Sequence, residues 1–171
     1  MGRAQRIALA ATALVAGYLV VARAVVRALA PRRHRALLAQ LLDPAAGPPP
    51  GSHPVAPDLA ERWAQAVTGR DWDAARELLA EDLHVDSAAR HFHGRASYLR
   101  GARGVADAYE QRDVRVDEVA GEAEAPHVAW VRFTQTTHGP ALEATWWERW
   151  TLDPAGERVL EIAFGGVTRL V

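Results

Sequence analysis

The sequence predicts an α+β fold, with three helices on one face of a curved antiparallel sheet, behind a single apolar N-terminal helix. Three observations predict it. Residues 7–22 (IALAATALVAGYLVVA) carry no charge. Apolar residues then recur at helical spacing between Asp58 and Glu110. From Arg112 onward the apolar period changes from 3.6 to 2, and the runs are separated by turn residues.

The N-terminal segment reads as a membrane anchor over residues 1–30. Sixteen helical residues, 7–22, reach about 24 Å, slightly short of a hydrocarbon core of about 30 Å. Arg23 and Arg27 lie one turn apart and can snorkel to one interface, so that residues 7–30 cross the bilayer. A cleaved signal peptide with Ala22-Arg23-Ala24 as its small-x-small site is the rival reading. A helix lying in the membrane surface is another. Five arginines (23, 27, 32, 33 and 35) follow the apolar run, against Arg3 and Arg6 before it. This asymmetry predicts a single-pass protein of the cell membrane with its soluble part in the cytoplasm.

Residues 31–43 have leucines at 37, 38, 41 and 42 behind a basic start. That spacing predicts a short amphipathic juxtamembrane helix suited to lipid headgroups. Residues 44–57, with five prolines between residues 45 and 57 and no charge, form a semi-rigid linker. Residues 58–171 form the globular domain.

Within it, Asp58 with Glu61 three residues on predicts a capped first helix, ended at Gly69. Asp71 caps a second, predicted to run through DWDAARELLAEDL. Leu83, Val85 and Ser87 begin an extended segment, and Gly94 precedes a third helix running from Arg95 toward Glu110. Four strands follow: one through Val114, Val116 and Val119, then 127–137, 141–152 and 158–170.

Composition excludes some functions. There is no cysteine, so disulfides, iron–sulfur clusters and thiolate metal sites are ruled out. All 20 basic residues are arginine and are scattered. Thirteen of them face 20 acidic residues in 58–171, and an acidic globule is a poor partner for nucleic acid.

The segments ERWAQAVTGRDWDAARELLAEDLHVD (61–86), FHGRASYLRG (92–101) and WERWTLDPAGERVLEIAF (147–164) resemble the nuclear transport factor 2-like superfamily. The likeness is to its SnoaL-like polyketide cyclase and ketosteroid isomerase-like branch. It implies a cone: a curved sheet wrapped on the helices around an apolar pocket, with dimers formed through the sheet in many members. It further implies that Trp63, Val85, Trp146, Trp150, Leu160, Ile162 and Phe164 line the pocket. Of the isomerase oxyanion and proton-shuttle set, only the strand acid is kept, as Glu148. Trp63 stands at the tyrosine position and Ser87 at the shuttle, with Asp86 one residue early.

Glu148 and Asp86 are therefore the candidate acid–base pair, against a reading in which Asp86 ends a strand in solvent and Glu148 pairs with an arginine such as Arg132. His84, His91 and His93 with Asp86 have spacing compatible with a metal, but no metal or other cofactor is expected. Trp146 and Trp147 must face opposite sides of their strand, Trp147 marking the outer or dimer face. The reading is a membrane-tethered domain binding a small apolar ligand or a partner protein, without assured catalysis. A SnoaL-like lyase, isomerase or cyclase using a pocket carboxylate is the alternative, and a structural subunit of a membrane complex is the third.

Overall fold

The computed structural model describes residues 29–86, 91–139 and 141–171. The apolar run 7–22 lies outside the described residues. Among those described, no helix is long and apolar enough to cross a membrane.

Among the described residues, four helices and seven strands follow one another. Residues 29–40 form α1. Then come β1 (His53–Pro54), α2 (Asp58–Thr68), α3 (Trp72–Glu77), β2 (Leu79–Asp86), β3 (His91–His93) and α4 (Arg95–Ala106). The meander β4 (Gln111–Glu122), β5 (Ala125–His138), β6 (Leu142–Leu152) and β7 (Val159–Leu170) completes the fold. All seven strands make one sheet in the order β1-β4-β5-β6-β7-β2-β3.

The sheet is mixed, where an antiparallel one was expected: β2 runs parallel to β7, pairing Val85 with Ile162. The second helix is also shorter than its spacing predicted. Asp71 caps it, accepting from the Ala74 N–H at 3.0 Å, but it stops at Glu77. Leu79, Leu83 and Val85 instead enter a strand whose inner side they fill. Alone, Leu78 to Leu83 satisfies either period; burial against β7 decides for the strand. Asp58 is the first helical residue of α2 rather than its cap, which is Pro57.

Curvature comes from irregularities in the ladders. A register shift at Asp117 bends β4, and three more lie between β6 and β7. Each extra residue increases local twist and folds the sheet around the helices. Two glycines permit the tightest of these. A Cβ at Gly165 would stand 2.8 Å from the Trp130 ring, and Gly166 has φ +127°.

The main core lies between the concave face and α2 to α4, around Trp63, Val67, Leu83, Leu99, Val131, Phe133, Trp150 and Ile162. A second cluster joins Leu38 to Tyr109, Leu142, Ala144 and Val167. The segment expected along headgroups thus packs its leucine onto the domain. Behind it, Leu42 bridges to Val167, and the Asp43 N–H donates to the Val167 carbonyl at 2.7 Å. The Pro-rich linker is held as well: His53 pairs with Gly121 across from β4.

Candidate functional site

Strand β6 supplies the interior row. With a period of two, Leu142, Ala144, Trp146, Glu148 and Trp150 share its concave side. Glu148 sits on that row opposite Val131 and Phe164, and is buried. A carboxyl in such a place needs partners. The two flanking indoles provide them: Trp146 Nε1 donates to Oε1 at 2.9 Å, and Trp150 Nε1 to Oε2 at 2.8 Å. Residues two apart on one strand face are natural neighbours, so the Trp-x-Glu-x-Trp pattern builds its own clamp. Burial pushes the Glu148 carboxyl above its ordinary value, while the indole bonds and the interior Arg112 oppose that rise.

Arg112 and Gln135 enter the same interior from β4 and β5. Arg112 is two residues before Val114, whose side chain is in the core, and Gln135 is two after Phe133. The Arg112 Nε donates to the Gln135 Oε1 at 2.6 Å. Burial lowers the guanidinium to about 10, opposed by Tyr98, Tyr109 and Glu148. Tyr98, on α4, stacks on Trp63 with centroids 5.7 Å apart, and burial followed by the nearby Glu148 raises its phenol. Sequence reading passed over Arg112 and Gln135. Counting back by two from Val116 and on by two from Phe133 would have found them.

The other expected site residues separate clearly. Val85, Ile162 and Trp63 are buried in the main core, and Trp146 and Phe164 are partly buried. Leu160 is not on the inner face. A register shift between Leu152 and Thr151 brings both Val159 and Ile162 inward and leaves Leu160 37% exposed. Asp86 does not join Glu148 either. Its neighbour Val85 points inward, so Asp86 points out, where it meets His91 Nδ1 at 2.9 Å with 59% of its side chain exposed. Among the described residues Glu148 pairs with no arginine of the kind expected. Arg132 is on the outer face, 3.2 Å from Glu118 and above the Trp147 ring. His84 and His93 meet edge to face at 4.6 Å between ring centroids. Among the described residues no group of three or more His, Asp or Glu is arranged to hold a metal.

Trp147 faces out, but it is buried rather than open. Arg132 covers its ring, and the linker passes so near that a Cβ at Gly47 would stand 3.5 Å from its indole nitrogen.

A cleft of about 390 Å³ opens at the other end of the row, with Trp150 in its wall. Val55, Leu59, Val119, Val128 and Leu152 make most of the rest. Its polar rim includes Glu122, whose carboxylate is occupied by Trp130 Nε1 and Arg149 Nε, both at 2.8 Å.

A curved sheet wrapped on helices, with a buried acid on its inner strand face, is an α+β domain of ketosteroid isomerase-like fold. The SnoaL-like domain family matches residues 60–162, and the chain belongs to that family. Solved structures share the fold at low identity. A protein of ketosteroid isomerase-like fold from Catenulispora acidiphila, in complex with trimethylamine, has a TM-score of 0.54 at 17% identity, over 64% of this chain and 85% of that one. An NTF2-like protein of unknown function from Exiguobacterium gives 0.55 at 12%, over 63% and 97%. A candidate polyketide cyclase from Sinorhizobium meliloti gives 0.51 at 21%, over 64% and 94%. No curated protein matches the sequence.

Proposed function

We propose that this SnoaL-like domain binds a small apolar molecule in the cleft beside Trp150 and holds it close to a membrane. The observation that carries the reading is the joining of that cleft to Glu148 through one indole. Trp150 lines the cleft and donates to Glu148 behind it. The volume, about 390 Å³, lies in the range of small-molecule sites, and its wall is apolar with few polar groups, as such sites are. The uncharged run 7–22 supports tethering, and the arginines after it support a cytoplasmic domain.

Native mass spectrometry of the detergent-extracted full chain, incubated with lipid extract of its host, tests this. An apolar adduct is expected on the wild type and is lost in Leu59→Trp, which fills the cleft. Equal adducts on both, or none on either, would sink the reading.

Glu148 also keeps a cyclase or isomerase reading alive, because a buried carboxyl with a raised pKa is suited to general acid–base work. Asp86 supplies no second acid, so that chemistry would rest on Glu148 alone. Glu148→Gln with ligand bound and turnover abolished would favour the enzyme; ligand bound with no turnover in either protein favours the binder.

A further inference from the structure

A second polar site lies at the opposite end of the interior row from the Trp150 cleft. Gln135 pairs with Ala144, six residues from Trp150 and thus about 20 Å along the strand. Here the Arg112 Nη1 and the Gln135 Nε2 are both buried and have no hydrogen-bond partner among the described residues. The amide orientation is fixed by its other end: Gln135 Oε1 accepts from Arg112 Nε, so Nε2 is left as a donor. Two buried donors on residues joined by a hydrogen bond therefore lack an acceptor.

The charge is uncompensated too. Among the described residues, no carboxylate makes an ion pair with Arg112. Glu148 acts on it only from a distance, being clamped by its two indoles. A largely interior guanidinium without an anion is costly, and one neutral water would fill the donors without answering the charge. The neighbouring inner surface is aromatic: Phe133 is the next inner residue of β5, 5.7 Å from the Trp146 ring. The cover is α1, whose His34 Nδ1 and the Tyr109 hydroxyl are hydrogen-bonded at 2.8 Å.

We propose that Arg112 Nη1 and Gln135 Nε2 bind the carboxylate of a small aromatic or apolar acid, admitted when α1 lifts from the domain. A single guanidinium with one amide near it suits a monoanion, whose oxygens can accept a charge-assisted bond from Nη1 and a bond from Nε2. A doubly charged phosphate would find one cation where it needs two. The site is separate from the Trp150 cleft, so either proposal can fail without the other.

Benzoate is the probe, with benzyl alcohol as its uncharged counterpart, added to the full chain in detergent. Thermal unfolding and titration calorimetry are the measurements. Benzoate is expected to raise the Tm of the wild type, and benzyl alcohol is not. Gln135→Glu places a carboxylate beside Arg112 within the chain. It is expected to raise Tm without benzoate and to weaken benzoate binding at least tenfold. Should that variant fail to fold, Gln135→Met removes one donor and is expected to weaken binding about tenfold, by the loss of one charge-assisted bond. Leu59→Trp, at the far cleft, leaves benzoate binding unchanged. No response of the wild type to millimolar benzoate, or an undiminished response in the Gln135 variants, overturns the site.

Discussion

At the scale of single residues, Glu148 is a carboxyl held away from water. Its folded-state pKa is raised above 4.5 by burial, so the native protein holds this proton to higher pH than the unfolded chain does. The sign follows: as pH rises through the ordinary carboxylate range, native protein binds more protons than unfolded, and stability falls until the folded pKa is passed. Glu148→Gln removes that fall. The difference in stability between the two proteins, followed by urea unfolding from pH 4 upward, should therefore change with pH in this direction. A constant difference would show that Glu148 titrates normally. The amide also turns one indole bond into a meeting of two donors, which costs about 1–3 kcal/mol. A second residue-scale expectation concerns Gly165. Its Ala variant drives a methyl group to 2.8 Å from the Trp130 ring and 3.1 Å from the Trp147 carbonyl. Loss of about 1–3 kcal/mol is expected in the same assay. The indole bonds to the Glu148 carboxyl were not legible in the sequence, since an arginine was the expected partner. That Trp146, Glu148 and Trp150 share a face was legible, because strict alternation on β6 leaves no choice. Leu160 was misplaced by the same rule, since a ladder irregularity shifts the face without leaving a mark in the residue types. Arg112 was overlooked because a guanidinium is ordinarily solvated, and only its register beside Val114 puts it inside.

At the scale of elements, the meander was the most legible part: four alternating runs became β4 to β7. The short α3 and the strand β2 were less so, because Leu78, Leu79 and Leu83 fit a helix until β7 is present to pair with. Docking of α1 was not legible at all. Its leucines suit a lipid surface as well as a protein one, and only the apolar recess of Tyr109, Leu142, Ala144 and Val167 decides. Leu38→Ala should loosen this docking by about 2–3 kcal/mol, seen as faster trypsin cleavage at Arg35 with the remaining domain intact. The contact is also pH-sensitive. Burial, with a smaller effect of Arg112, lowers His34 from 6.5 to about 4, so the docked helix carries a neutral imidazole bound to Tyr109. Between those values the undocked state binds more protons than the docked one, and docking is lost as pH falls from 6.5 toward 4. Cleavage at Arg35 by a protease active across that window, or hydrogen exchange of residues 29–40, should rise accordingly. His34→Gln, which keeps a hydrogen-bonding side chain but cannot titrate, should flatten the profile.

At the scale of the whole molecule, the docked α1 turns the membrane reading into a statement about orientation. The uncharged run ends at Ala22 and the described helix begins at residue 29, with six residues between. Even fully extended, that interval reaches only about 25 Å. If residues 7–22 lie in the bilayer, the end of the domain that carries Leu38, Tyr109 and Val167 is held within that distance of the headgroups. The Trp150 cleft is set farther out, at the other end of β6. The linker does not lengthen this leash, because Asp43 is bonded to Val167 and His53 is paired with Gly121. Nor does it leave Trp147 open to a second copy. The outer face beside it carries the charged pairs Arg115–Asp117 and Arg132–Glu118. The leash predicts a gradient of proximity to lipid. With the full chain in vesicles, a spin label at residue 108 through Ala108→Cys should be broadened by a paramagnetic lipid headgroup far more than one at Ala123→Cys, beside the cleft. Because the protein has no native cysteine, each label reports one position. Equal broadening at both sites would mean that α1 does not stay docked at the membrane. The reverse order would mean that the cleft end, not the α1 end, faces the lipid.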